Sequence, residues 1–168
     1  MPDETAFRPF ETALDPEAAQ AILRDATDGG EDGELFLERR RSEALVFDDG
    51  RLKTASFDAA EGFGLRAVHG ETAGYAHSTE ISETALRRAS ETARLAVGAG
   101  GGTLADPPRP TNRRFYPDRD PVGDAAFPVK VETLREIDAH LREADPRVVQ
   151  VSATLAASLQ EVCLLYTS

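Results

Sequence analysis

The sequence predicts an α+β fold, one antiparallel sheet with helices packed on one face. Three observations predict it. Apolar residues alternate with a period of two over much of Gly33–His77, the spacing that lines one face of a strand. The runs are joined by Asp48-Asp49-Gly50 and His69-Gly70-Glu71-Thr72, turn chemistry suited to hairpins. Helical periods stand before and after the strands rather than between each pair, which argues against an alternating parallel sheet.

Asp15-Pro16-Glu17 starts the first helix, with an N-cap acceptor, Pro at the first helical position and an acid at the positive dipole end. Ala19, Ile22, Leu23 and Ala26 share one face, and Asp28-Gly29-Gly30 ends the helix. A first strand opens at Gly33, with Leu35, Leu37 and Arg39 on one side and Phe36 and Glu38 on the other. A second, Glu43–Phe47, turns at Asp48-Asp49-Gly50 into a third, Leu52–Phe57. The fourth, Glu61–Val68, turns at His69–Thr72 into the fifth, Ala73–His77. Gly62, Gly64 and Gly74 within these runs mark bulges or close backbone approach.

Ser82 caps the next helix, with Ile81 and Leu86 as a hydrophobic staple and Leu86, Ala89, Ala93 and Val97 as its buried stripe. Gly98–Gly102 releases the chain into a Pro-rich stretch, Asp106–Pro128. Pro128 opens a last helix whose stripe is Val131, Leu134, Ile137, Leu141 and Ala144. Asp145-Pro146 breaks it, and Val148–Val162 alternates as a long strand. That strand is expected to leave an unpaired edge with exposed apolar surface, a route to association.

Five segments follow. Residues 1–14 are an N-terminal tail, 15–97 an α+β domain, and 98–127 a Gly/Pro-rich connection. Residues 128–162 are a helix and a truncated strand leading to an absent C-terminal domain. Residues 163–168 read as a non-native tail, because CLLYTS resembles the translated transposon end ligated to DNA fragments in sequencing-library preparation. A natural apolar strand end is the alternative for those six residues.

A chain of 168 residues can bury roughly two thirds of its unfolded surface. No apolar run approaches the roughly 20 residues of a membrane helix, and MPDETAFRPFETAL has neither the basic region nor the apolar stretch of a signal peptide. The net charge of -11 works against generic nucleic-acid binding. Cys163 is the only cysteine, which excludes an internal disulfide and fits a reducing compartment.

Chemistry-bearing residues are few. The histidines are His69, His77 and His140. His69 and His77 have Glu71 and Glu80 nearby but no third ligand at metal spacing. His140, beside Glu136 and Glu143, reads as a surface ion-pair partner. Ser56, Ser78, Ser82 and Ser90 lack a nucleophile elbow, and Asp48-Asp49 is accounted for by its turn. Gly62-Phe63-Gly64 lacks the strand-then-helix setting of a dinucleotide loop. Arg39-Arg40-Arg41 reads as a strand with counter-ions nearby. Arg113-Arg114-Phe115-Tyr116 is too isolated to be a single-strand platform. No catalytic, cofactor-binding or metal-ligating residue is assigned.

Three blocks carry a resemblance: FLERRRSEALVFDDGRLK, GFGLRAVHGETAGYAHSTEIS and KVETLREIDAHLREADPRVVQVSATL. Together they resemble the N-terminal domain of the metallopeptidase member of the TldD/PmbA family, over nearly the whole chain. The resemblance implies a cytoplasmic zinc peptidase acting on unfolded or extended peptides with a TldE/PmbA-type subunit. It places the zinc in an HExxxH helix with a further Cys ligand, in a C-terminal domain. No residue of this chain matches that motif, so this part is expected to be non-catalytic and to hold no cofactor itself. Its Gly62–Tyr75 strands would either wall a peptide channel or serve only as an interaction or dimerisation surface. A stand-alone α+β binding module is the remaining alternative.

Overall fold

A computed structural model describes residues 6–27, 32–97 and 119–167 of the chain. Expectations for Asp28-Gly29-Gly30, Gly98–Gly102, Arg113–Tyr116 and most of the Pro-rich stretch lie outside the described residues. The elements in order are α1 (Pro9–Thr12), α2 (Pro16–Thr27), β1 (Asp32–Asp48), β2 (Arg51–His69), β3 (Thr72–Ser78), α3 (Glu83–Val97), α4 (Phe127–Ala144) and β4 (Ser152–Tyr166). The strands form one sheet in the order β3-β2-β1-β4. β2 and β3 pair antiparallel from Phe63↔Ser78 to His69↔Thr72. β1 and β4 also run antiparallel: Thr167 donates to the Gly33 carbonyl at one end, and Asp49 to the Val151 carbonyl at the other. The fold is therefore α+β on an antiparallel sheet, as the sequence predicts.

The strands are longer and fewer than their sequence signals suggest. The two strands expected in 33–47 are one, β1, and the two expected in 52–68 are one, β2. Arg40-Arg41-Ser42 and Asp58-Ala59-Ala60-Glu61 interrupt the alternation of large apolar residues, but neither stretch carries Gly or Pro, and the backbone runs on through both. The hairpin between β1 and β2 does turn where its chemistry lies: Asp49 and Gly50 both take positive φ, 50° and 74°, as a two-residue type I′ turn requires. β4 starts later and runs further than expected, through Cys163–Tyr166.

The chain divides into two compact units, residues 1–39, 60–112 and 161–168 in one, and residues 40–59 and 113–160 in the other. In the first, α2 and α3 cover one face of the sheet. Leu35, Leu37, Phe63 and Leu65 from the strands meet Ile22, Leu23, Leu86 and Ala93 from the helices. Leu14 joins this core, and Cys163 and Leu165 of β4 pack at its margin. Asp15 caps α2 by accepting from the Ala18 amide at 2.8 Å, and Ser82 caps α3 by accepting from Ala85 at 3.1 Å. Ser90, buried on α3, donates to the Ile22 carbonyl of α2 at 3.2 Å. Gly74 lets α3 approach β3, since a Cβ there would stand 2.1 Å from the Ala93 carbonyl oxygen.

The second unit is smaller, with Leu45, Phe47 and Leu134 at its centre. Here α4 departs from its expected orientation. The expected stripe would bury Ile137 and Leu141, yet these are 41% and 42% exposed, while Lys130, Leu134 and Asp138 are buried. Charge decides the rotation. β1 presents Arg41 and Glu43 on the same parity as Leu45 and Phe47. Lys130 reaches Glu43 at 2.8 and 3.0 Å, and also donates to the Val122 carbonyl at 2.6 Å. Asp138 accepts from Arg142 at 3.0 Å, and Arg142 also pairs with Asp49. A half-buried carboxylate left unpaired would cost more than exposing two aliphatic side chains.

Candidate functional site

The outer face of the sheet in the first unit holds a shallow groove, and strand alternation builds it. Because Leu35, Leu37, Phe63 and Leu65 point into the core, Glu34, Phe36, Glu38, Gly62, Gly64 and Arg66 point the other way. On β3, Tyr75 pairs with Arg66 and His77 with Gly64, so both stand on this outer face. Two adjoining hollows result. One, of about 300 Å³, is lined by Phe36, Glu38, Glu61, Gly64, His77 and Thr79 among others. The second, of about 260 Å³, shares Phe36, Gly64 and His77 and extends to Glu34, Arg66 and Tyr75.

The two glycines of the floor differ. A Cβ at Gly62 would stand 2.5 Å from the Ser78 carbonyl oxygen, so the strand pairing itself requires glycine there. A Cβ at Gly64 would meet nothing within 4 Å. Packing therefore does not demand glycine at 64, and its missing side chain is what keeps the floor open. Arg66 closes one end. Its Nε donates to the Tyr75 hydroxyl at 3.0 Å, its guanidinium lies 5.9 Å from that ring's centre, and it approaches Asp32 at 3.7 Å. The charge of Arg66 is thus engaged locally, while Glu34 and Glu61 give the rim a negative bias.

The residues weighed from sequence fall as follows. His69 stands opposite Thr72 and His77 opposite Gly64, so they lie on opposite faces of the sheet and about 17 Å apart along the ladder, at ~3.4 Å per residue. They cannot share a metal. Ser56, Ser78, Ser82 and Ser90 all make local or packing hydrogen bonds. Asp48 accepts from Gln150 at 3.0 Å while Asp49 sits in the turn. His140 is exposed on α4, whose ion pairs run through Arg135–Glu132 and Arg142 instead.

The arginine triplet separates by parity. Arg40 is exposed. Arg39 pairs with Glu161 at 2.7 Å beneath the Phe7 ring, and Arg41 pairs with Asp120 at 2.9 Å. Burial pushes the Asp120 carboxyl up, but the Gly123 and Val122 amides and the Arg41 guanidinium outweigh it and hold the group below its ordinary value. Sequence reasoning missed Asp120, Glu43, Lys130 and Asp138. The available signal was the position of Arg41 and Glu43 on the core parity of β1.

Residues 33–97 match the family described as PmbA/TldA metallopeptidase domain 1. This span is similar to the first domain of the TldD/PmbA family. Every residue of the groove lies within the matched span. Among curated relatives, the metalloprotease TldD homolog of Haemophilus influenzae is 30% identical over 139 residues, which is 80% of this chain and 28% of that protein. The TldD homolog of Buchnera aphidicola subsp. Schizaphis graminum is 28% identical over 136 residues, with the same two shares, 80% and 28%. The chain thus spans little more than a quarter of the length of these relatives. Among solved structures, TldE from Thermococcus kodakarensis superposes with a TM-score of 0.65 at 18% identity, over 88% of this chain and 34% of that one. That likeness speaks for the fold.

Proposed function

We propose that this chain is the amino-terminal, non-catalytic part of a cytoplasmic TldD-type zinc metallopeptidase. With a TldE/PmbA-type subunit it would process extended or unfolded peptides. The carrying observation is the domain 1 match over residues 33–97, joined to relatives named metalloproteases of which the match spans only 28%. The described residues do not fit a zinc ion: His69 and His77 face apart, and no group of three ligating side chains converges among them. No catalytic step is therefore assigned to this chain. Its contribution is to bind or guide, and the outer groove is the surface on this domain suited to that work.

The test compares this chain with the longer gene product. Metal analysis should find no stoichiometric zinc in the 168-residue chain and one zinc per longer chain. Cleavage of an unfolded peptide should require the longer chain, zinc and the TldE-type subunit together. One tightly held zinc in the short chain, lost on His77→Ala, would overturn the reading.

A second reading, a domain that only builds an interface, draws support from α4. Its Phe127, Val129, Ile137 and Leu141 form an exposed apolar flank, of the kind that marks contact surfaces. Ile137→Glu separates the two. Under the interface reading it abolishes pairing with the TldE-type subunit, whereas under the peptide-guiding reading it leaves both pairing and peptide cleavage intact.

A further inference from the structure

We infer that the outer groove is a side-chain pocket for an extended peptide that carries a large apolar residue next to a basic one. The inference deepens the peptide-handling reading above by assigning a substrate preference to one surface. Three observations carry it. First, Phe36, the open floor at Gly64 and the flanks of His77 and Tyr75 enclose two adjoining hollows of about 300 and 260 Å³. Each is large enough for one aliphatic or aromatic side chain but too small for a folded partner. Second, glycine at 64 serves no packing purpose, since a Cβ there meets nothing within 4 Å. A side chain at that position would enter the floor, and its Cβ would clash with no neighbouring atom.

The third observation is charge. Glu34 and Glu61 rim the hollows, and Arg66 is occupied by Tyr75 and Asp32. The chain as a whole carries a net charge of -11. An apolar hollow inside an acidic rim favours a ligand that places Lys or Arg beside its buried residue, and it repels one that places Asp or Glu there. β3 is an edge strand of the sheet, so a peptide backbone can run alongside it while its side chain turns into the groove.

The experiment uses the 168-residue chain without metal or partner, so its outcome is independent of peptidase activity. A fluorescein-labelled Gly-Ser-Lys-Phe-Lys-Ser-Gly peptide is titrated by fluorescence anisotropy, beside versions with Glu for Lys and with Ala for Phe. The Lys-Phe-Lys peptide should bind at least about tenfold more tightly than either, and its advantage over the Glu version should shrink as salt rises. Gly64→Val, a change that strands favour, should lower affinity about tenfold or more with the thermal transition retained. Phe36→Ser, on the face away from the core, should do the same by removing the apolar wall. Glu34→Gln with Glu61→Gln should reduce the Lys-over-Glu preference and spare the Phe-over-Ala preference. Any one of three results overturns the inference. One is absence of binding up to about 1 mM peptide. Another is binding that both Gly64→Val and Phe36→Ser leave unchanged. The third is self-association of the chain that Gly64→Val abolishes, which would give the groove to a second copy. Zinc-dependent cleavage by the longer protein that persists in the Gly64→Val variant would count against the groove alone and leave the peptidase assignment standing.

Discussion

Replacing Lys130 with Ala tests the idea that charge, rather than the apolar stripe, sets the rotation of α4. The Lys130 side chain is 5% exposed and its partner Glu43 14%. Its ammonium lies 2.8 and 3.0 Å from the two Glu43 oxygens and 2.6 Å from the Val122 carbonyl. Truncation removes the cation and leaves the Glu43 carboxylate facing the void where the lysine stood. Breaking one side of a buried pair costs ~3–5 kcal/mol. Glu43 keeps some access to water, so the low end, about 3 kcal/mol, applies. With a urea m-value of about 2 kcal/mol/M, the midpoint should fall by about 1.5 M. Because the chain has two compact units, amide exchange at Leu45, Phe47 and Leu134 is the proper local readout beside the urea curve. The double change Lys130→Met with Glu43→Leu should recover most of the loss, since apolar replacement of a whole buried pair is often neutral or better. A shift below about 0.5 M for Lys130→Ala, or a double variant as unstable as the single one, would refute the reasoning.

Three further outcomes are expected. Gly74→Ala drives a Cβ to 2.1 Å from the Ala93 carbonyl oxygen, so α3 must shift, at about 1–3 kcal/mol or roughly 3–9 °C in Tm; Gly64→Ala meets no atom and should leave Tm unchanged or raise it slightly. The lowered Asp120 pKa, set by the balance of burial against the Gly123, Val122 and Arg41 donors, means its contribution is fully present above the ordinary carboxylate pKa and is lost as pH falls through the depressed one. Exchange protection of the Val122 and Gly123 amides, read with the intrinsic rate divided out, should therefore fall in that acid range and be independent of pH there in Asp120→Asn. Cys163, whose pKa is raised by burial and by Glu161, should react with iodoacetamide more slowly at neutral pH than the unfolded chain does, with the rate climbing only above the ordinary thiol pKa.

Local chemistry was legible in the sequence wherever a residue acts on its immediate neighbours. Asp15 and Ser82 cap the helices they were expected to cap, and Asp49-Gly50 turns where its composition says it should. The alternation of Leu35 and Leu37, and the stripe of Leu86, Ala89 and Ala93, correctly gave the core of the first unit. Strand ends were misread because polarity was taken as interruption. At 40–42 and 58–61 the alternation of large apolar residues lapses without Gly or Pro, so the backbone continues and only the side-chain environment changes.

The groove was partly hidden for a different reason. Gly62, Gly64 and Gly74 look alike in sequence, and all three invite the reading of close backbone approach. Only Gly62 and Gly74 have a backbone oxygen within 3 Å of where a Cβ would stand. At Gly64 the absent side chain is itself the feature, and which of the three has that property depends on what lies across the strand.

The ion pairs of β1 show the limit most clearly. Arg39, Arg41 and Glu43 sit on the same parity as Leu35, Leu37, Leu45 and Phe47, where charges are costly unless partnered. That much is readable from the chain, and it requires partners. Which partners is not readable: Glu161 lies 122 residues from Arg39, Asp120 lies 79 from Arg41, and Lys130 lies 87 from Glu43. No local rule links such positions. Lys130 is also one of only two lysines, placed on a helix whose apolar stripe lies at different positions. A stripe-based reading points Lys130 outward, and a reading that first asks where Glu43 finds its cation points it inward. The structure follows the second, because exposing Ile137 and Leu141 forfeits part of two transfer energies, while stranding Glu43 forfeits a whole desolvation penalty.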